Sequence, residues 1–269
     1  MAPTVHDFRS KYGPTALVTG ASNGIGAALA NEIAARGLDV VLVARRDLAL
    51  AELAERIRAS HDVRVTCIVA DLGTTGGVNL VLDRVSPLDI GLYAGCAGFG
   101  TAGHFTDNSI DDELNMIDVN CRAVAALAHP VAQSMRKRGR GGIILFSSIV
   151  AFQGVGNSAN YAATKAYVQS LAEGLAAELR PNGVDVLASA PGPVATGFGT
   201  RADMRMNGAA SAQVVARATL NALGRKTTVR PGTQSKVLGL GLSTLPRPLR
   251  SRILGKIMTG MTKHRHAAS

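Results

Sequence analysis

Between residues 15 and 190, short apolar runs of strand length alternate with longer stretches of helical period, and this alternation constrains the fold most. It is the pattern of a parallel sheet covered on both faces, because each parallel strand needs a crossover, usually a helix, to reach the next. The runs at 15–19 (TALVT), 39–44 (DVVLVA), 63–70, 88–94, 142–147 (GIILFS) and 184–190 predict six strands, and 227–230 a short seventh. Val40 to Ala44 is apolar without a break, as a strand buried on both faces requires. Helices are predicted over 25–36 with Gly37 in the cap position, over 46–60, over 109–138 with a kink at Pro130, and over 159–180. The expected fold is therefore α/β: a doubly wound parallel sheet of about seven strands with helices on both faces.

No Pro- or Ser-rich linker and no internal repeat divides the 269 residues, a length that one α/β unit commonly reaches. We expect one main domain over 1–232, with 233–269 as a basic extension packed on it or peripheral. Aromatic residues are 4% of the chain and Trp is absent, which argues against a base-stacking nucleic-acid platform. Cys67, Cys96 and Cys121 form no CxxC pair and no cluster with His, so no metal site is expected. They read as reduced, partly buried packing residues of a cytoplasmic protein. The first eleven residues are polar and do not suggest a secretion signal. No apolar run reaches the ~18 residues of a membrane span.

The first strand runs directly into Thr19-Gly20-Ala21-Ser22-Asn23-Gly24-Ile25-Gly26. Glycines there permit a tight turn and let the backbone approach a pyrophosphate, while the following helix offers unpaired amides and a partial positive charge. The second strand ends in Ala44-Arg45-Arg46, where a dinucleotide fold that prefers NAD(H) usually carries an acid for the ribose 2′-hydroxyl. A guanidinium suits a 2′-phosphate instead, so Arg45 favours NADP(H). The plainer alternative is that both arginines are solvated at the start of a helix.

Tyr161 and Lys165 stand four apart on a predicted helix and so share a face. A phenol ionises near pH 10, so proton exchange near neutrality requires a depressed pKa; a neighbouring ammonium has the right sign to depress it. Ser148 lies just beyond the fifth strand, at the end of the sheet where ligands bind in such folds.

Together these residues resemble the short-chain dehydrogenase/reductase family, over about residues 15–232. Thr19, Gly20, Gly24 and Gly26 match its TGxxxGxG run, and Ser22, Asn23 and Ile25 fill that turn. Asp71 and Leu72 match the pair that holds the adenine. Asn120, Ser148, Tyr161 and Lys165 match the catalytic set. Pro191, Gly192, Val194 and Thr196 fall in the segment that holds the carboxamide. Gly95-Cys96-Ala97-Gly98 stands where the family has NNAG, with Ala97 and Gly98 bordering the cofactor but neither asparagine present. The resemblance implies that 1–232 is a dinucleotide-binding catalytic domain, a carbonyl reductase or alcohol dehydrogenase using NADP(H), and a homodimer or homotetramer; the tail resembles the lipid-leaning branch of the family, which implies a hydrophobic or lipid-like carbonyl substrate. Tyr161 would deliver the proton, Ser148 would bind the carbonyl oxygen, Lys165 would lower the phenol pKa and hold the ribose, and Asn120 would support a water relay. The alternative is a non-catalytic NADP-binding regulator, or a peripheral membrane protein, on the same scaffold. Phe99, Gln153, Val155 and Phe198 are pocket or core residues by position, and His104 reads as an ordinary loop residue.

The net charge of +10 is concentrated at one end. From Met204 onward there are twelve Lys or Arg and no Asp or Glu; of 29 basic residues this leaves 17 for the rest, against 19 acidic. Leu249, Ile253, Ile257 and Met261, with Leu254 and Met258 beside them, form an apolar stripe opposite Arg252, Lys256 and Lys263. This predicts a helix packed on the domain or a partner subunit, or one lying on an anionic membrane or meeting an acidic carrier or CoA-type substrate; Val237 to Leu242 upstream reads as apolar and flexible.

Overall fold

The computed structural model describes residues 5–201 and 208–262. Seven parallel strands, β1 (Thr15–Thr19), β2 (Asp39–Ala44), β3 (Val65–Val69), β4 (Ile90–Gly95), β5 (Gly141–Phe146), β6 (Val184–Ser189) and β9 (Thr228–Val229), form a sheet in the order β3-β2-β1-β4-β5-β6-β9. A small separate ladder pairs β7 (Val194–Ala195) with β8 (Ala210–Ser211). The order reverses between β1 and β4, and a crevice opens beyond their carboxyl ends at such a reversal.

Alternation along each strand sends neighbouring side chains to opposite faces. Ala16, Val18, Val40 and Leu42 pack against α2 (Gly24–Ala34), α3 (Asp47–Ser60) and α9 (Ala212–Ala222). Leu17, Val41 and Val43 pack on the opposite side with α4 (Thr75–Val85), α6 (Ala123–Arg138) and α7 (Ala159–Leu179). A short α1 (Val5–Tyr12) leads into β1 and places Phe8 and Tyr12 in the first of these layers. A third apolar cluster lies outside the two layers, joining Ile149, Val150 and Ala162 to Leu242, Leu254 and Met258. Those last residues come from α10 (Thr233–Ser243) and α11 (Arg247–Thr262), which follow the short α8 (Gly197–Arg201) and α9 in the chain.

Four expectations need correction. The helix expected over 109–138 is interrupted at Asp118–Arg122, not at Pro130: α5 (Ile110–Ile117) passes into a π turn there before α6 begins. Pro130 lies inside α6, where buried Leu127, Ala128, Val131 and Ala132 hold that stretch against the sheet. Residues 237–242, read as flexible, are helical in α10, with Gly239 buried and Leu242 in the third cluster. α4 was not anticipated because Gly76 and Gly77 weaken the signal of its first turn. Gly77 is needed there, since a Cβ would collide with the Asp71 carbonyl oxygen. Finally, Cys67 is exposed on edge strand β3, while Cys96 and Cys121 are partly buried; all three are free thiols.

Candidate active site

The turn after β1 is built for close approach. Gly24 has φ +58, and a Cβ on it would lie 2.8 Å from the Thr196 methyl. A Cβ on Gly26 would collide with the Gly20 carbonyl oxygen, so only glycine lets α2 start so near the turn. An α-helix leaves its first amides without intrahelical partners. Asn23 caps that of Gly24 at 2.7 Å, and Ile25 and Gly26 border a cavity of about 650 Å³. Gly20, Ser22, Asn23, Gly24, Arg45 and Asp71 line the same cavity, as do Leu72, Ala97, Gly98 and Thr196. Helix N-terminal amides and glycines at this cavity fit a pyrophosphate.

Arg45 and Arg46 divide their contacts. The Arg45 guanidinium is 3.7 Å from Asp71, whereas Arg46 donates to the Ser22 hydroxyl from Nη2 at 3.1 Å. Arg46 also lines the cavity. The motif comparison singled out Arg45 alone; the signal for Arg46 was present in the doubled arginine.

A second cavity, of about 760 Å³, adjoins the first. The two share Ile25, Cys96, Gly98, Thr196 and Phe198, so they meet at that point. Ser148, Tyr161 and Lys165 line this second chamber together, with Pro191, Gly192 and Val194 beside them. The Lys165 ammonium lies 5.7 Å from the Tyr161 ring centroid. Lys165 is held by its donation to the Phe146 carbonyl at 2.9 Å. Burial pushes the Tyr161 phenol up to about 12, and only the influence of the Ser148 hydroxyl opposes it. Burial also lowers Lys165 to about 8. The expected depression of the phenol is thus absent, because desolvation outweighs what Ser148 contributes and Lys165 adds no resolved lowering.

Asn120 lines neither cavity. It is fully buried in the π turn, where Oδ1 accepts from the Phe99 amide at 3.1 Å. Its Nδ2 donates to the Phe99 carbonyl and the Thr164 hydroxyl at 2.9 and 3.0 Å. It braces the strand-end segment against α7. A Cβ on Gly98 would meet Asn120 Oδ1 at 3.0 Å and Lys165 Nζ at 3.2 Å, so the space between those two groups depends on that glycine. The missing asparagines of the Gly95–Gly98 segment have substitutes: the Thr19 hydroxyl accepts from the Ala97 amide at 3.2 Å, and Asn120 holds Phe99.

The chamber wall comes from residues that no motif marked. Leu238 of α10 and Leu254, Ile257 and Met258 of α11 line it. Lys165 is its only charged lining group among the described residues. Ser235 of α10, itself buried, accepts a 2.7 Å hydrogen bond from the Gly192 amide and ties this wall to the 191–196 segment. Phe198 lines both cavities and Phe99 the first; Gln153 and Val155 are core, and His104 is exposed away from both. No group of His, Cys, Asp and Glu suited to a metal ion occurs among the described residues.

A family model described as short chain dehydrogenase matches residues 14–206. A 7beta-hydroxysteroid dehydrogenase from Clostridium sardiniense is 33% identical over 190 residues, covering 71% of this chain and 73% of the relative. The human inactive hydroxysteroid dehydrogenase-like protein 1 is 31% identical over 193 residues, covering 71% of this chain and 58% of the relative. A solved short-chain dehydrogenase from Sphingobium yanoikuyae in complex with NADPH superposes with TM-score 0.78 at 31% identity, covering 86% of this chain and 94% of its own.

Proposed function

The chain belongs to the short-chain dehydrogenase family of nicotinamide-dependent oxidoreductases, and on that footing we propose that it is an NADP(H)-dependent reductase of bulky, uncharged ketones, with Tyr161 as proton donor. The observation that carries this reading is the chamber: Ser148, Tyr161 and Lys165 line it together, Tyr161 against Phe198 and Lys165 beside Gly98, which both border the nucleotide cavity too, and an apolar wall completes it. A charged substrate would lose its hydration there without gaining a partner other than Lys165. Two arginines and no carboxylate at the end of β2 support a 2′-phosphate, and the Sphingobium relative holds NADPH.

Bound along the two cavities, the dinucleotide would supply the hydride. Ser148 would donate a hydrogen bond to the carbonyl oxygen as negative charge grows on it, and Tyr161 would deliver the proton to that atom. With the phenol at about 12, Tyr161 rests protonated at neutral pH, which suits reduction more than oxidation. Lys165, at about 8, keeps most of its charge there and would offset charge appearing on the phenol oxygen.

NADPH oxidation against a panel of ketones tests the reading. We expect turnover with bulky apolar ketones and little with small charged ones. Tyr161→Phe should lose about a thousandfold in turnover while NADPH titration changes less than about twofold. Near-normal turnover in that variant refutes the mechanism, and a preference for charged ketones refutes the substrate class. The non-catalytic reading, favoured by the inactive human relative, predicts NADPH binding without oxidation across the whole panel.

A further inference from the structure

The chamber reaches the surface at an unusual lip. Val237 lines the chamber and is nevertheless 68% exposed; Leu240, three residues along α10, is 71% exposed. Leu249, near the start of α11, is 42% exposed. Exposed large apolar side chains on neighbouring helices beside a cavity are a feature of interaction surfaces. Exposed Lys236 stands beside Val237, and exposed Arg252 and Lys256 lie one turn apart on α11. The same helix turns Leu254 and Met258 inward, at 2% and 6% exposure. Lys236, Arg252 and Lys256 make no ion pair among the described residues, and no acidic residue follows Met204 anywhere in the chain.

We propose that the outer faces of α10 and α11 dock on an anionic lipid bilayer, with the chamber's lip turned toward it. Unpaired cations beside projecting apolar side chains match anionic headgroups over an acyl layer. A second copy of the chain fits less well, because a two-fold contact would set this basic face against itself. No helix among the described residues is long and apolar enough to cross a membrane, so the contact is peripheral. A lipophilic ketone dissolved in the bilayer would then enter at Val237 without crossing water.

Co-sedimentation of the full chain, loaded with NADPH, tests this without reading turnover, so its outcome is separable from that of the reductase assay. The probes are vesicles of phosphatidylcholine alone, or with roughly one-third phosphatidylglycerol. The expected result is partition onto the anionic vesicles only, reversed by high salt. Replacing both Arg252→Gln and Lys256→Gln should weaken it about 25-fold, from roughly fivefold per basic residue. Leu240→Asp should weaken it too, and both variants should keep wild-type turnover of a water-soluble ketone, which shows that they are folded. Protein left in the supernatant with both vesicle types overturns the proposal. So does equal binding to both, or binding indifferent to the double substitution. A wild-type dimer dissolved by Leu240→Asp, without vesicle binding, would assign the face to a second copy.

Discussion

The two halves of the cleft are made by different means. The nucleotide cavity is lined by the glycine turn after β1 and by residues at and just beyond the ends of β2, β3 and β4, most of them within a few residues of a strand. The chamber draws its walls from α10 and α11, far along the chain, and these present aliphatic side chains with no directional bonding. The first half recognises charge through amides, glycines and guanidinium groups, and tolerates little change in geometry. The second recognises bulk by exclusion of water, and many apolar residues could serve it. Substrate choice can therefore vary while the cofactor half stays constant.

If the division is real, substitutions should affect one half and spare the other. Tyr161→Phe, the largest effect, falls at the junction and does not separate them. Arg46→Ala should weaken NADPH binding about 10- to 100-fold, as loss of a charged hydrogen bond implies, and leave NADH binding and the ketone KM unchanged. Equal losses for both cofactors would remove Arg46 from the 2′-phosphate site. Met258→Trp should raise KM for a bulky ketone about tenfold by overfilling the chamber, with NADPH titration unmoved. Should cofactor affinity fall in step, the halves are coupled.

The pH profile adds a subtler test. Lys165 is charged below about 8 and loses its charge as pH rises through that value, while Tyr161 stays protonated to about 12. The kcat/KM for reduction should accordingly fall above about pH 8, by up to about tenfold per unit. Lys165→Arg should move that limb upward, and a flat profile well above this pH excludes the ammonium's role. Ser235→Ala is expected to have the smallest effect. It removes one neutral hydrogen bond to Gly192, worth ~1 kcal/mol, so NADPH affinity should drop about fivefold. No change would mean that the wall does not position the cofactor segment.

Much of this architecture is legible in the residues. β1 and β2 fall where their apolar runs do, because strands buried on both faces are apolar along most of their length. Gly20, Gly24 and Gly26 mark the nucleotide turn, since no other residue fits those conformations and approaches. The Tyr161–Lys165 spacing places both groups in one chamber. Other features leave no such trace. The π turn at Asp118–Arg122 answers to the bonds of Asn120 with Phe99 and Thr164, partners 21 and 44 residues away. Pro130 was the stronger local signal, yet packing of its neighbours overrode it.

Local chemistry along the chain was enough to specify the parallel sheet, the glycine turn, the arginine pair and the catalytic spacing, because each depends on residues within a few positions of one another. The phenol's upward shift, the reach of Arg46 to Ser22 and the apolar wall over the chamber depended on the folded state. Desolvation and apolar contact are properties of what surrounds a group in space, and for these groups the surroundings come from distant parts of the chain.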